Sequence, residues 1–228
     1  HEEREFNERQ KTKIMKIILT FIITAFSIAN LNAMCAMNGL SAFPTSKTLR
    51  QNPIIIIEGY ALSQNVVKGL NKQFPVYLVH RKQKIKLTVR EILVGQFQMT
   101  QAVLVPDTKL TAGIEYTLVI DKLPNFESLD RWNSILKKNE PIIYKVVEGV
   151  DTIKPTFIKT PKEIKKSFIF YGCGPSVHVV FDCSVIDSSE YLIKATVKNM
   201  KSGIETFYYV EPDKGTLKIG HGMCSGAF

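Results

Sequence analysis

Residues 110–120, with the sequence Leu-Thr-Ala-Gly-Ile-Glu-Tyr-Thr-Leu-Val-Ile, place a glycine turn directly before a strand. Tyr116 and the aliphatic residues two and four positions after it point to one face of that strand. A tyrosine three residues after a turn glycine is typical of the corner of a β-sandwich, where the ring packs inward and the hydroxyl bonds to upstream backbone. We therefore predict a structural tyrosine corner made by Leu110, Gly113 and Tyr116.

The same two-residue period recurs on both sides of this strand. Residues 84–89 alternate between apolar and polar side chains, and the odd-numbered residues from 177 to 185 are apolar. Further β-rich runs are bounded by turn residues; they are residues 54–57, 76–80, 97–105, 141–147, 168–171, 191–197, 206–210 and 217–219. No long helical period separates these runs, so the sequence predicts an all-β fold of antiparallel sandwiches.

Two segments carry a helical period. Leu62, Val66 and Leu70 recur at four-residue spacing, and residues 126–136 keep a helical phase behind Asn125, which is a suitable N-cap. We predict that each segment is a turn or a single short helix that crosses between strands.

The start of the chain has the pattern of an export signal. Residues 1–14 are polar and are interpreted as an upstream, non-native segment. Residues 15–33 join a basic start, an apolar run and a small-residue exit at Ala33, which predicts a cleaved signal peptide. The apolar run is about 13 residues long, short of the ~20 that a spanning helix needs. The alternatives are an uncleaved membrane anchor and a lipid attached to Cys35. Processing sites of lipoproteins have a small residue before the cysteine, and Met34 is not small, which disfavours the lipid.

The remaining chain divides into three parts. Residues 34–52 are rich in turn-forming residues and are predicted to be a linker. The strand pattern then runs over residues 53–150, pauses near Pro155, and restarts, which predicts a first domain at 53–150 and a second at 151–228.

A family resemblance fits this organisation. Residues 53–120, with an isoleucine-rich first strand, alternating middle strands and the Leu110, Gly113 and Tyr116 corner, resemble the bacterial Ig-like domains of exported and surface-layer proteins. The second half resembles another such domain. The resemblance implies two tandem Ig-like antiparallel β-sandwich domains, and implies a fold more than an activity. Too few residues follow Gly222 for the last two strands of a seven-stranded domain, so we predict a truncated second domain with an exposed Phe228.

The charge of the chain is positive but spread out. The formal net charge is +9, and the basic residues are scattered rather than interleaved with aromatic residues. This pattern favours a solvated surface over a nucleic-acid partner. Lys82, Lys84 and Lys86 form a same-face ladder that could meet phosphates or acidic sugars, but such lysines also protect an edge strand from pairing. We favour the structural interpretation of this ladder.

Three cysteines fall in the second half, and an exported protein reaches a compartment where a disulfide persists. Cys173 and Cys224 are flanked by glycines that permit close backbone approach, so we predict a bond between them. Cys183 projects from the apolar face of its strand and is predicted to be a free, core-facing thiol. The alternative pair, Cys183 with Cys224, needs a bulge near the second cysteine.

Candidate catalytic and metal-binding patterns are weak. Residues 222–226 match the G-x-nucleophile-x-G elbow, but no sequence remains for the helix behind it or for the other members of a triad. His178 and His221 with the cysteines could bind zinc, but no C-x-x-C pair is present and the side chains fall on different strand faces. Paired carboxylates are absent as well. We therefore predict no enzyme activity, no catalytic residue, no cofactor and no metal.

These observations predict a non-catalytic exported protein that serves as an adhesion, spacer or assembly module of the cell envelope, in the periplasm, at the cell surface or secreted. The alternative is a carbohydrate-binding module of a glycan-utilisation system, with Trp132 and Tyr144 as the glycan contacts. The expected partner is a protein or a glycan at the envelope. No nucleic acid and no transmembrane span after signal removal are expected.

Overall fold

The structure is a computed structural model that describes residues 38–172, 174–187 and 189–228. The predicted upstream segment (1–14), the predicted signal peptide (15–33) and Cys35 lie outside the described residues. Ala36–Phe228 form one compact unit. The described residues are mostly strands, which confirms the all-β class. The domain boundary at residue 150 stays a prediction.

The first half of the described chain contains ten strands, eight of which share one sheet. They are β1 (Gly39–Phe43), β2 (Thr48–Leu49), β3 (Ile55–Tyr60), β4 (Val76–His80), β5 (Gln83–Val94), β6 (Met99–Pro106), β7 (Glu115–Ile120), β8 (Asp130–Asn133), β9 (Lys138–Pro141) and β10 (Ile143–Val146). The eight-stranded sheet has the order β1-β3-β6-β5-β4-β7-β10-β2, and β8 pairs with β9 alone. Within the sheet only β10 and β2 run parallel.

A short connection joins the two ends of this strand order. β1 ends at Phe43 and β2 begins at Thr48, yet the two strands lie at opposite ends of the order. A residue spans at most about 3.6 Å, so four residues cannot cross eight flat strands spaced about 4.8 Å apart. The sheet is therefore rolled. The first part of β5 pairs with β4 and the later part with β6, with an irregularity between Val89 and Glu91.

The rolled sheet encloses the main hydrophobic core. Tyr116 on β7 and Tyr144 on β10 lie opposite each other, and both are buried. The residues of β7 alternate as predicted, because Tyr116, Leu118 and Ile120 are the buried ones. Burial of a leucine or isoleucine side chain stabilises the fold by about 1.5–3 kcal/mol. The buried face of β7 therefore accounts for the stability of this strand.

The first predicted helix is present in part. The helix α1 (Gln64–Lys68) follows a 3-10 turn at Ala61–Ser63. Val66 and Leu70 are buried as their spacing predicts, but Leu62 is 65% exposed because it lies in the turn before the helix.

The second segment, predicted as a turn or a short helix, forms a strand and turns instead. Residues 126–136 contain β8 and the turn that leads to β9, so Asn125 caps no helix. In that turn the Asn133 Oδ1 atom accepts hydrogen bonds of 3.0 Å from the backbone N–H groups of Ile135 and Leu136. A side chain that satisfies nearby backbone donors in this way competes with the helical pattern.

The linker predicted at residues 34–52 is also wrong over its described part. It contains β1, which pairs with β3, and β2, which pairs with β10. Leu40 and Leu49 lie in the main core. Both strands stand at the ends of the strand order, where polar residues and nearby prolines are tolerated, and this explains why the composition resembles a linker.

The second half forms smaller sheets. Its strands are β11 (Thr156–Phe157), β12 (Lys162–Tyr171), β13 (Gly174–Asp182), β14 (Val185–Ile186), β15 (Ile193–Lys198), β16 (Glu205–Val210) and β17 (Thr216–His221). A three-stranded sheet has the order β12-β13-β17, while β15 pairs with β16 and β11 with β14. A small core of Cys183, Ile193 and Leu217 lies among these strands.

The last residues pack against the first half. The Gly226 N–H donates to the Phe97 carbonyl at 2.7 Å, and the Phe97 N–H donates to the Gly226 carbonyl at 3.2 Å. Ala227 is buried, and Phe228 is half-buried in a cluster with Leu93. The expectation of an exposed Phe228 is therefore wrong, because Phe228 belongs to an apolar cluster that includes Leu93 of β5 and Tyr208 of β16.

Candidate functional site

The outer edge of β12 is the most accessible feature of the second half. β12 lies at one end of the β12-β13-β17 sheet, and in the described part of the chain no strand pairs with its outer side. Nine of its ten residues are exposed. Every second residue of an edge strand turns its backbone N–H and C=O outward. We call this feature the β12 edge; it offers unpaired backbone groups to an incoming strand.

Aromatic side chains of the β12 edge share a face with apolar residues of β13. The register places Phe168 opposite Val177 and Phe170 opposite Pro175, and opposite residues of an antiparallel pair point to the same face. Phe168 is 69% exposed and Phe170 is 73% exposed. Neighbouring aromatic rings exposed to this degree are typical of an interaction surface.

The other end of β12 is basic. Lys162, Lys165 and Lys166 precede the aromatic residues, and the one carboxylate among them, Glu163, lies 3.3 Å from the Lys166 ammonium. The strand therefore has a positive end and an aromatic end. A partner strand must complement both ends.

A cleft of about 330 Å³ lies where the rolled sheet meets β16 and β17, and Glu58, Gln101, Tyr208, His178 and Lys218 contribute to its lining. Glu58 on β3 is opposite Gln101 on β6, and the Gln101 Nε2 atom lies 3.3 Å from the Glu58 Oε2 atom that accepts its hydrogen bond. Tyr208 is 2% exposed and its hydroxyl lies beside the Glu58 carboxyl. The cleft thus gathers polar groups from strands that are distant in sequence.

Burial sets the charge of these groups. It raises the pKa of Glu58, although the hydrogen bond from Gln101 and the nearby Tyr208 hydroxyl act in the opposite direction. Burial and the neighbouring Glu58 raise the pKa of Tyr208 as well. The pKa of His178 is lowered, first by burial and then by the nearby Lys218 charge. Burial thus shifts Glu58 and His178 towards their uncharged forms, while Lys218 and Glu211 also belong to the lining of the cleft.

A larger cavity of about 810 Å³ shares Phe43 and Ile56 with the cleft. Its walls are largely apolar and include Ile54 and Tyr191, while Asp151 and Ser189 lie at its polar end. The Ser189 hydroxyl is 2.5 Å from the Asp151 Oδ2 atom. None of the residues that line this cavity is a histidine, so the serine has no imidazole base there. No group of three metal-ligating side chains occurs within the described ranges.

The predicted tyrosine corner is assembled in part. Leu110 and Tyr116 are buried, and Gly113 has a φ of +80°, which suits a turn glycine. The hydroxyl that bonds to upstream backbone, however, belongs to Tyr144, which donates to the Pro44 carbonyl at 3.0 Å. Tyr144 lies opposite Tyr116. The residue that was predicted to contact a glycan therefore makes the hydrogen bond that was predicted for the tyrosine of the corner.

The two predicted glycan contacts are not brought together. Trp132 lies on β8 with its side chain 58% exposed, whereas Tyr144 is fully buried. The guanidinium of Arg131, the residue before the tryptophan, lies 5.9 Å from the centre of the Tyr144 ring. Tyr144 therefore offers no free face to a sugar, and Trp132 remains an exposed ring by itself.

The described cysteines behave differently from each other. Cys183 is a free thiol in the small core, which excludes the alternative pair with Cys224. Cys224 is bonded in a disulfide, and Cys173 lies outside the described residues, so the Cys173–Cys224 pair stays a prediction. The chain segments next to the two cysteines are close together, because a Cβ placed on Gly174 would lie 3.3 Å from the Met223 carbonyl oxygen.

The remaining candidate patterns separate in space. Lys82 lies in the turn before β5, and Lys84 forms an ion pair of 2.8 Å with Asp121, so the lysine ladder is not a uniform row of free charges. His178 and His221 point to opposite faces of their sheet, because His221 pairs with Val177, the neighbour of His178. Residues 222–226 form a turn that returns to Phe97, with no helix behind it.

Comparisons with known proteins supply no relative for this arrangement. No protein-family model matches the chain, and no curated protein or solved structure matches it significantly. The Ig-like resemblance therefore stays a prediction.

Proposed function

We propose that this chain is a non-catalytic, exported assembly module of the cell envelope, built on Ig-like sandwich architecture, and that it assembles through the β12 edge. The observation that supports this proposal is the combination, on one strand, of exposed aromatic side chains and backbone groups that no strand of the described residues pairs with. Natural proteins usually shorten, charge or cover such an edge. Lysines charge the first half of this edge, but its second half, residues 167–171, carries no charge and keeps Phe168 and Phe170 exposed, so that half is suited to receive a strand.

The signal-like pattern of residues 15–33 supports the export part of the proposal. No helix among the residues that the structure describes is long and apolar enough to cross a membrane.

Photocrosslinking in intact cells tests this function. A photoreactive amino acid at Phe170 should yield crosslinked protein complexes in the envelope fraction. The same group at Ile135, which is exposed in the β8–β9 turn, is the matched control and should yield none. Equal yields at both positions, or a chain that stays in the cytosol, would contradict the proposal.

One observation favours carbohydrate binding as a second candidate function, namely the exposed ring of Trp132. Stacking of a sugar on this ring requires no other aromatic residue. A glycan array decides between the two: saturable binding that Trp132→Ala abolishes and Phe170→Ala preserves supports the glycan candidate. Binding that is insensitive to Trp132→Ala would exclude this site.

A further inference from the structure

The regular part of β12 has a defined centre. The register with β13 is irregular between Glu163 and Lys165 and then continues residue by residue from Lys165 to Tyr171. Phe168 is the middle residue of this seven-residue stretch. Two antiparallel strands related by a two-fold axis must place one residue opposite its own copy, since the axis passes through that pair. A pairing centred on Phe168 uses the whole regular stretch.

We infer that the β12 edge pairs with the β12 edge of a second copy of this chain, antiparallel and with Phe168 opposite Phe168 across the two-fold axis. This inference rests on the proposed function and names the partner in it. The result is one continuous six-stranded sheet, with β17, β13 and β12 of each copy on either side of the axis.

The sequence of the strand complements itself in this register. Lys166 of one copy lies opposite Phe170 of the other, and Lys165 lies opposite Tyr171. Each ammonium therefore meets an aromatic ring, and such contacts are favourable. Any parallel arrangement would instead bring the basic ends of the two copies together, which is unfavourable. The charges of β12 therefore favour antiparallel pairing of two copies over parallel pairing.

The faces of the two sheets agree as well. Phe168 and Phe170 point to the same face of their own sheet. A two-fold axis perpendicular to the sheet keeps that face on the same side in both copies. Four phenylalanine rings then form one row across the axis. The contact is limited to one strand pair and this row, so we expect a reversible dimer with a Kd of about 1–100 µM.

Sedimentation velocity of the exported, processed chain tests the pairing. The wild-type protein should dimerise reversibly, and Phe168→Lys should raise Kd at least about tenfold, because two ammonium groups would meet on the axis. Phe168→Glu should do the same. An equimolar mixture of the two variants should form a heterodimer that is tighter than the homodimer of either variant, since opposite charges then face each other.

Control measurements test whether the loss of dimer is specific to Phe168 and not due to misfolding. Ile135→Lys also changes an exposed apolar residue to lysine, but away from β12, and this variant should dimerise like the wild type. Circular dichroism should show that Phe168→Lys folds normally, since the ring it replaces lies outside the hydrophobic cores. A wild-type protein that is monomeric at about 500 µM, well above the expected Kd, would overturn the inference. A variant mixture that associates no more than either variant alone would overturn it as well.

Crosslinking from Phe170 separates this inference from the proposed function. Crosslinks between two copies of the chain support both. Crosslinks only to a different polypeptide leave the assembly function standing and overturn the second copy as partner. Crosslinks no more frequent than those from Ile135 overturn both.

Discussion

Gln101 and Tyr209 are joined by two hydrogen bonds in which a side-chain amide takes the place of a neighbouring strand. The Gln101 Nε2 atom donates to the Tyr209 carbonyl at 2.9 Å, and the Tyr209 N–H donates to the Gln101 Oε1 atom at 3.2 Å. Gln101 belongs to β6 and Tyr209 to β16, so this pair connects the rolled sheet with the second half. Gln101 is 2% exposed, so water does not replace these bonds easily.

Replacement of Gln101 by alanine should therefore destabilise the fold by about 2–3 kcal/mol, because two half-buried backbone groups of Tyr209 lose their partner. Gln96→Ala is the matched control: the exposed Gln96 amide donates to the Thr206 hydroxyl at 2.7 Å, and its loss should cost less than about 0.5 kcal/mol. Urea denaturation of both variants measures the difference. Equal losses would show that the Gln101 pair has no special role.

Glu58 should make stability depend on pH. Its pKa is raised by burial in the folded chain, so the folded state binds the proton more tightly than the unfolded state does. The stabilising contribution is complete below the ordinary pKa of a glutamate and is lost as pH rises through the raised value. Glu58→Gln removes this loss and should stabilise the protein at pH 8 by about 1–3 kcal/mol, with little effect at pH 4.

Denaturation curves of the wild type and Glu58→Gln, recorded from pH 4 to pH 8, check this expectation. Glu205→Gln serves as control, since Glu205 is exposed and forms a surface ion pair of 3.3 Å with Lys198. It should change stability by less than about 1 kcal/mol at each pH. A Glu58→Gln variant that is destabilised at pH 8 would mean that the carboxylate form is the one the fold prefers.

The Tyr144 hydroxyl should contribute to stability although the ring is the larger part of the residue. It donates to the Pro44 carbonyl in a buried setting, and burial raises the pKa of Tyr144 to about 12. Tyr144→Phe keeps the ring but leaves that carbonyl without this donor, so we expect a loss of about 1–2 kcal/mol in thermal denaturation. Tyr77→Phe, on a partly exposed ring under the Lys84 ammonium, should be nearly neutral.

Two glycines four residues apart should respond differently to alanine. A Cβ on Gly226 would overlap the Cα and Cβ atoms of His221 and lie 2.8 Å from the Gly220 carbonyl oxygen. A Cβ on Gly222 would lie 3.5 Å from the Ser225 carbonyl oxygen, an ordinary contact. Gly226→Ala should therefore cost about 2 kcal/mol or more and increase hydrogen exchange at Phe97, whereas Gly222→Ala should cost less than 1 kcal/mol. Similar exchange in both variants would argue against this close approach.

The cysteines give a prediction that peptide mapping checks directly. Protein recovered from an oxidising compartment and digested without reduction should contain a peptide that links Cys173 to Cys224. Cys183 should be alkylated only after denaturation, because its thiol is buried and free. Free thiols at both Cys173 and Cys224 would contradict the predicted bond.

Strands with one buried face could be predicted from the sequence. β7 shows the two-residue period in its burial because a core lies on one side of it, and its position agrees with the sequence analysis. β13 was located as well, but all nine of its residues are half-buried and it ends at Asp182, so the predicted alternation to Val185 is not observed. Only Phe168–Tyr171 of β12 could be recognised. The residues before Phe168 have no apolar alternation, because neither face of that part of the strand is buried. The first part of β12 could not be recognised because it has no buried face, and the same lack of burial makes the β12 edge accessible.

The cleft could not be predicted from one sequence. Glu58, Gln101 and Tyr208 come from three strands, and only the register of β3 with β6 and the position of β16 bring them together. Register is a tertiary property that the local pattern of a strand does not specify. The helical period of residues 126–136 failed for a local reason, since the Asn133 side chain supplies the turn with its own hydrogen bonds.

The four residues between β1 and β2 connect the two ends of the strand order of the rolled sheet. Arg131 binds this connection at three successive carbonyls, those of Pro44, Thr45 and Ser46. The Tyr144 hydroxyl and the Lys145 N–H donate to the Pro44 and Lys47 carbonyls of the same connection, so β8 and β10 hold it together. Loss of these contacts would loosen both ends of the strand order at the same time.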